Sequence, residues 1–235
     1  PRIAAMLLAA ARTGDAARAA DIAAVLVERG LGGNETSLDH RLEAFRRDRS
    51  RRATDMRRLA EGWARTARAA VASSARATPS DLSTAALLAL AYPERIAKAR
   101  GARGQFLLAN GRGAHLDATD ALARAPFLVV AEMQGSAAAT RIVLAAETTE
   151  ADVLSFAGDR VVTRDDVSFD KDTLSVRARR VRRLDAIELA SEPRTLAAGA
   201  DVEAALAAGL MRIGATRLPW SKAQLQLRDR VAFLR

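Results

Sequence analysis

The sequence predicts an α+β, multi-domain protein: a helical domain, a region of short strands, and a further helical segment at the C-terminal end. Three observations predict it. Apolar residues recur every three or four positions up to Ala91, and again from Asp201. After Gly104 that period gives way to short runs rich in β-branched and aromatic residues. Strands and helices do not alternate as a parallel sheet would require. The 235 residues suit one or two domains, with a partial third, and a hydrophobic share of 49% allows a sizeable core. With aromatic residues at 4%, that core is built from Ala, Leu, Val and Ile.

The elements follow in order. Pro1 to Thr13 reads as a helix with Ile3, Met6, Leu7 and Ala10 on one face; Gly14 ends it and Asp15 caps the next, which carries Ile22, Val25 and Leu26. "GGNETS" is a loop. Leu38 to Arg47 is a short helix and Arg51 to about Ala75 a long one, with Met56, Leu59, Trp63, Ala67 and Ala70 in helical register. "SSARATPSD" reads as a linker and Leu82 to Ala91 as an apolar helix. Tyr92 precedes Pro93, which disfavours helix there, and "PERIAKAR" fits one or two further turns ended by Gly101. "QFLLA", "PFLVVAEM" and "TRIVLAAE" read as strands. "DVSFDKDTLSVRARRVRRLDAIELA" reads as two strands joined at "DKDT". A helix runs from Asp201 through Leu210 and Ile213, and another starts just inside Pro219. The expected divisions are residues 1–76, helical; 77–100, connecting helices; 101–190, the strands; and 191–235, the start of a C-terminal region. The chain begins at Pro1 rather than Met and stops at an amphipathic "RVAFLR", so it reads as a piece of a longer protein.

Much chemistry is excluded. Cysteine is absent, which removes disulfides and cysteine metal sites and points to the cytoplasm. No run is apolar for long enough to span a membrane, and the opening residues are not expected to act as a signal peptide. A phosphate-binding Walker loop needs Gly-Lys followed by Ser or Thr. The three lysines, Lys98, Lys171 and Lys222, are each followed by Ala or Asp. His40 and His115 are too far apart in sequence for a zinc-binding helix pair. The carboxylate pairs Asp165-Asp166 and Asp117 with Asp120 suit turns and caps better than catalysis. No catalytic, metal or cofactor residue is expected.

What remains is the placement of cations. The formal net charge is +9, and all but three of the 37 cations are arginine. A GC-rich codon bias accounts for Arg over Lys but not for the surplus charge, which favours a polyanion. One cluster surrounds the Tyr-Pro break: Arg95, Lys98, Arg100, Arg103 and Arg112, with Asn110, among glycines that would let backbone approach a sugar-phosphate chain. The other is Arg177, Arg179, Arg180, Arg182 and Arg183, which reads equally as phosphate-binding or as a solvated edge strand.

The stretch "LLALAYPERIAKARGARGQFLLANGRGAHLDATDALARAPFLVVAEMQGSAAATRIVLAAE" resembles the C-terminal accessory region of DEAH-box ATP-dependent helicases of the bacterial HrpB type. "LPWSKAQLQLRDRVAFLR" is similar to the opening of that family's own C-terminal domain, and "PRIAAMLLAAARTGDAARAADIAAVLVERG" looks like its ratchet domain. The resemblance implies a ratchet-like helical domain, a small antiparallel OB-like barrel over 101–190 and a parent enzyme that is an ATP hydrolase. ATP and Mg would bind the motor domains of the same protein, which this chain lacks, and no cofactor would bind here. The implied partner is single-stranded nucleic acid, RNA ahead of DNA, clamped by the cations named above. The alternative is a basic protein-interaction module docking a partner protein or ribonucleoprotein.

Overall fold

The computed structural model describes residues 1–72, 81–136, 139–195, 199–214 and 220–233. The chain divides into two units: Pro1–Val162 with Arg183–Leu189, and Thr163–Arg182 with Ala190–Arg235.

The first unit opens with α1 (Arg2–Thr13), α2 (Ala16–Val27), α3 (Leu38–Arg47), α4 (Arg51–Val71) and α5 (Thr84–Ala91). Gly14 ends α1 in the left-handed region at φ 96°, as its position predicts. Serine hydroxyls cap the later helices: Ser37, Ser50 and Ser83 accept from the amides of His40, Ala53 and Ala86. Asp15 departs from expectation, for its side chain makes no cap bond. Its buried carboxylate instead accepts from Thr13 Oγ1, Arg18 Nη1 and the Leu82 amide, tying α5's approach to α2. Residues 73–80, most of the expected linker, lie outside the described residues.

The barrel is β1 (Ile96–Ala99), β2 (Gln105–Leu108), β3 (Gly113–His115), β4 (Phe127–Ser136) and β5 (Ala139–Thr148), closed in the order β1-β2-β3-β5-β4. Two expectations change. Residues 96–99 form a strand rather than a helical turn, because β1 pairs with β2 and β4 at once. A helix there would leave the barrel open along two edges. The barrel is also not wholly antiparallel, since β3 meets β5 in parallel at His115 and Arg141. Its interior is filled by Ala97, Phe106, Leu108, Leu128, Val130 and Ile142. The alternate residues Ile96, Phe127, Val129 and Leu144 point outward into a core shared with Met6, Phe45, Leu87 and Leu88 of the helices. Helices and barrel therefore form one packed body.

After β5, α6 (Glu150–Ala157) begins with a reciprocal capping box between Thr149 and Asp152, a signal present in the sequence but not read there. Then come β6 (Val161–Asp170), β7 (Ser175–Leu184) and β8 (Ile187–Arg194) in one sheet. This is three strands where two were expected. The second turn escaped notice because Asp185, not a glycine, adopts its left-handed conformation at φ 50°. Within the first unit, Leu184, Ile187 and Leu189 join the shared core, and Arg160 pairs with Asp185.

The second unit contains the remainder of β6–β8, α7 (Ala200–Ile213) and α8 (Lys222–Phe233). A Cβ on Gly209 of α7 would lie 2.1 Å from Cγ of Phe169, so the Phe169 side chain packs on bare helix backbone. Pro219 lies outside the described residues.

Candidate nucleic-acid interface

Alternation along β2 and β3 decides which residues face outward. Phe106, Leu108 and Ala114 turn into the barrel, so Gln105, Leu107, Gly113 and His115 form the opposite face. The pairings Gln105 with His115 and His115 with Arg141 align Gln105, His115 and Arg141 in a row across three strands. None of the three was chosen from sequence, where "QFLLA" read only as a strand. Arg141 also bears on Asp117, whose carboxyl is held below the usual aspartate range by a hydrogen bond from Thr119, with Arg141 adding its charge.

The β1–β2 loop stands at one end of this face. Gly104 is buried at φ 80°, and a Cβ there would lie 2.6 Å from the Leu116 carbonyl. Its openness thus serves the fold: its amide donates to Ala123 and its carbonyl accepts from Leu116, pinning the loop onto the barrel rim. Arg100 and Arg103 are exposed, and neither has a salt-bridge partner among the described residues. The Arg100 guanidinium reaches back over Gly113, so a cation covers bare backbone on the outward face.

Other cations gather at a cleft of about 450 Å³ lined by Arg29, Arg95, Arg112, Glu132, Gln134 and Thr140 among others. Arg29 follows α2, Arg95 precedes β1 and Arg112 sits in the β2–β3 turn. A bulge in β4 builds this site. Val130 pairs with Ala145 and Glu132 with Leu144, so Ala131 between them is left out of the ladder. Its free carbonyl accepts from Arg95 Nη1 at 2.6 Å. The opposite side of Arg95 stacks on Tyr92, with its guanidinium carbon 4.4 Å from the ring centroid. Arg112 donates to Thr140 Oγ1 at 3.3 Å, and its amide is held by Asn110 Oδ1 at 3.0 Å. Asn110 is thus a turn residue that positions Arg112. Arg29 had no distinguishing signal in sequence; only the fold brings it here.

Lys98 is engaged elsewhere. Its Nζ donates to the carbonyls of Glu188 and Leu189, fastening β8 to β1 within the first unit. The second arginine cluster is largely ion-paired. Arg177 meets Asp170 at 2.8 Å, Arg180 meets Asp165 through two nitrogens at 2.9 and 3.1 Å, and Arg183 meets Glu188 at 3.5 Å. Arg179 is exposed and Arg182 half-buried. Among the described residues no group of His, Cys, Asp and Glu could hold a metal, and no helix is long and apolar enough to cross a membrane.

No family model matches this sequence. The ATP-dependent RNA helicase HrpB of Escherichia coli K12 is 32% identical over 234 residues, which is 98% of this chain and 27% of the helicase. A solved structure of the E. coli DExH-box NTPase HrpB superposes with a TM-score of 0.67 at 29% identity, covering 97% of this chain and 27% of that one. A second, of the Escherichia coli DEAH/RHA helicase HrpB, gives 0.65 at 28% identity over the same shares. The chain spans about a quarter of the relatives it matches. In sequence and in fold alike, it corresponds to the C-terminal region of HrpB-type helicases.

Proposed function

We propose that this chain is the accessory region of an ATP-dependent RNA helicase and clamps single-stranded nucleic acid, RNA ahead of DNA. ATP and Mg²⁺ act at motor domains of the same protein that lie outside this chain, in a DEAH-box enzyme of the cytoplasm. The observation that carries the reading is the outward β2–β3 face, with Arg100 laid across Gly113 and Arg103 beside it. OB-type barrels bind oligonucleotides on this pair of strands and on the loops at their ends. Guanidinium groups there meet phosphate without reading sequence, so binding is electrostatic and sequence-tolerant. Arg95 and Arg112 extend the basic surface. Lys98 and the paired arginines of β7 contribute less, because their charge already has a protein partner.

The test is fluorescence anisotropy of a labelled oligouridylate across a salt series. Binding should weaken linearly in log–log terms, with a slope of about −0.7 per phosphate contacted. Arg100→Ala with Arg103→Ala should lower that slope by one to two contacts' worth. Arg65→Ala with Arg68→Ala, on the exposed side of α4, should not. Equal losses from both pairs would reduce the interface to diffuse attraction. The chain alone should hydrolyse no ATP, since no lysine sits in a Walker context. A second reading, protein docking, is favoured by one observation in the second unit: Leu227, Val231 and Phe233 of α8 are exposed apolar side chains. Salt-insensitive capture of a partner lost on Phe233→Ser would support it.

A further inference from the structure

The cleft beside the β4 bulge differs from the β2–β3 face in a way that matters for its ligand. It is a half-open cleft of about 450 Å³, a size in the range of single small-ligand sites. Three guanidinium groups line it against one carboxylate, Glu132. That carboxylate also faces the buried Arg41, whose guanidinium burial pulls down while Glu132 and Glu35 oppose the shift. Two of the three cleft arginines are held in place by the protein: Arg95 by the Ala131 carbonyl, the Tyr92 ring and the Glu94 carboxylate 3.7 Å from its Nε, Arg112 by Thr140. Each guanidinium carries five N–H donors, so these single bonds orient the group and leave donors over for a ligand.

The lining therefore carries a surplus of two positive charges, with Gln134 and Thr140 as neutral polar partners. An internal phosphodiester brings one negative charge. A phosphate monoester brings about 1.5 to 2 at neutral pH, together with three acceptor oxygens. The charge balance of the lining and the size of the cleft both match one nucleotide bearing a monoester.

We propose that this cleft captures the terminal nucleotide of a strand by its phosphate monoester, so that the chain holds phosphorylated ends in preference to hydroxyl ends. The proposal rests on the clamp reading above and adds an end-recognition site to it. Arg29 and Arg112 bind the monoester from the helical and barrel sides. Arg95 presents its remaining donors from the floor.

The experiment compares one oligouridylate sequence with a 5′-phosphate, with a 3′-phosphate, or with hydroxyls at both ends, in competition anisotropy on the whole chain. AMP serves as the free monoester. A phosphate at one end should tighten binding about tenfold, the usual effect of one charge-assisted contact. AMP should abolish that advantage. Arg29→Ala and Arg112→Ala should each bring the ratio of the two affinities toward one, at an unchanged melting temperature. If the hydroxyl-ended strand binds and a terminal phosphate adds nothing, the clamp stands and the end site falls. If AMP binds but no phosphorylated strand gains, the cleft takes free nucleotides and end capture is overturned. If no strand binds, the clamp reading has failed, and so has end capture, whatever AMP does.

Discussion

Nη2 of Arg100 lies 2.8 Å from where a Cβ on Gly113 would stand, so the guanidinium occupies space that only glycine leaves free. Gly113→Ala should displace this flexible side chain without disturbing β3. Stability should change by no more than about 0.5 kcal/mol, as for surface substitutions generally. Affinity for a single strand should fall. In an Arg100→Ala background the same substitution should have no further effect, a coupling that a double-mutant cycle of Kd values measures directly.

Leu88 of α5 is fully buried in the core that joins helices to barrel. Leu88→Ala should cost about 2–5 kcal/mol, the range for a large aliphatic residue truncated in a core that cannot collapse. Because the core is shared, amide exchange should accelerate together in α1, α4, β4 and β5. Acceleration confined to the helices would mean that the barrel is held independently.

Gly209 presents a different constraint. A methyl group there would overlap the Phe169 ring, 2.1 Å away, and neither the helix backbone nor the ring is a flexible chain end. Gly209→Ala should loosen the contact between α7 and β6 at a cost of about 1–3 kcal/mol, as overpacking does. Exchange protection in α7 should drop while the melting of the first unit is unchanged.

Acid should act on the β6–β7 hairpin through Asp165 and Asp170. The bidentate hydrogen bond from Arg180 holds the Asp165 carboxyl below its usual value of 3.8, and backbone amides of Asp172 and Thr173 hold Asp170 down. A depressed folded value stabilises the fold above the unfolded value and is lost as pH falls through the folded one. The hairpin should therefore be intact at neutral pH and loosen only below about pH 4. NMR titration of the side-chain carboxyl of Asp165 should show a low midpoint that moves up toward 3.8 in Arg180→Ala.

The sequence by itself determined the order of elements and the class of surface. Helical periodicity marked α1, α3 and α4, because each buries one stripe and exposes the rest, and that contrast is local, whereas α5 is buried nearly all round and was marked by its apolar run. Cation placement marked the Arg95–Arg112 segment, and none of the three lysines stands in a Walker context. Tertiary structure decided the rest. Residues 96–99 became a strand because two neighbours, one of them some thirty residues onward, supply the ladder partners for β1. Lys98 was removed from the interface by carbonyls of β8, and Arg29 was brought into the cleft by the packing of α2. Both outcomes depend on contacts between residues far apart in the chain, and local composition carries no record of which distant carbonyl or carboxylate will meet a given arginine.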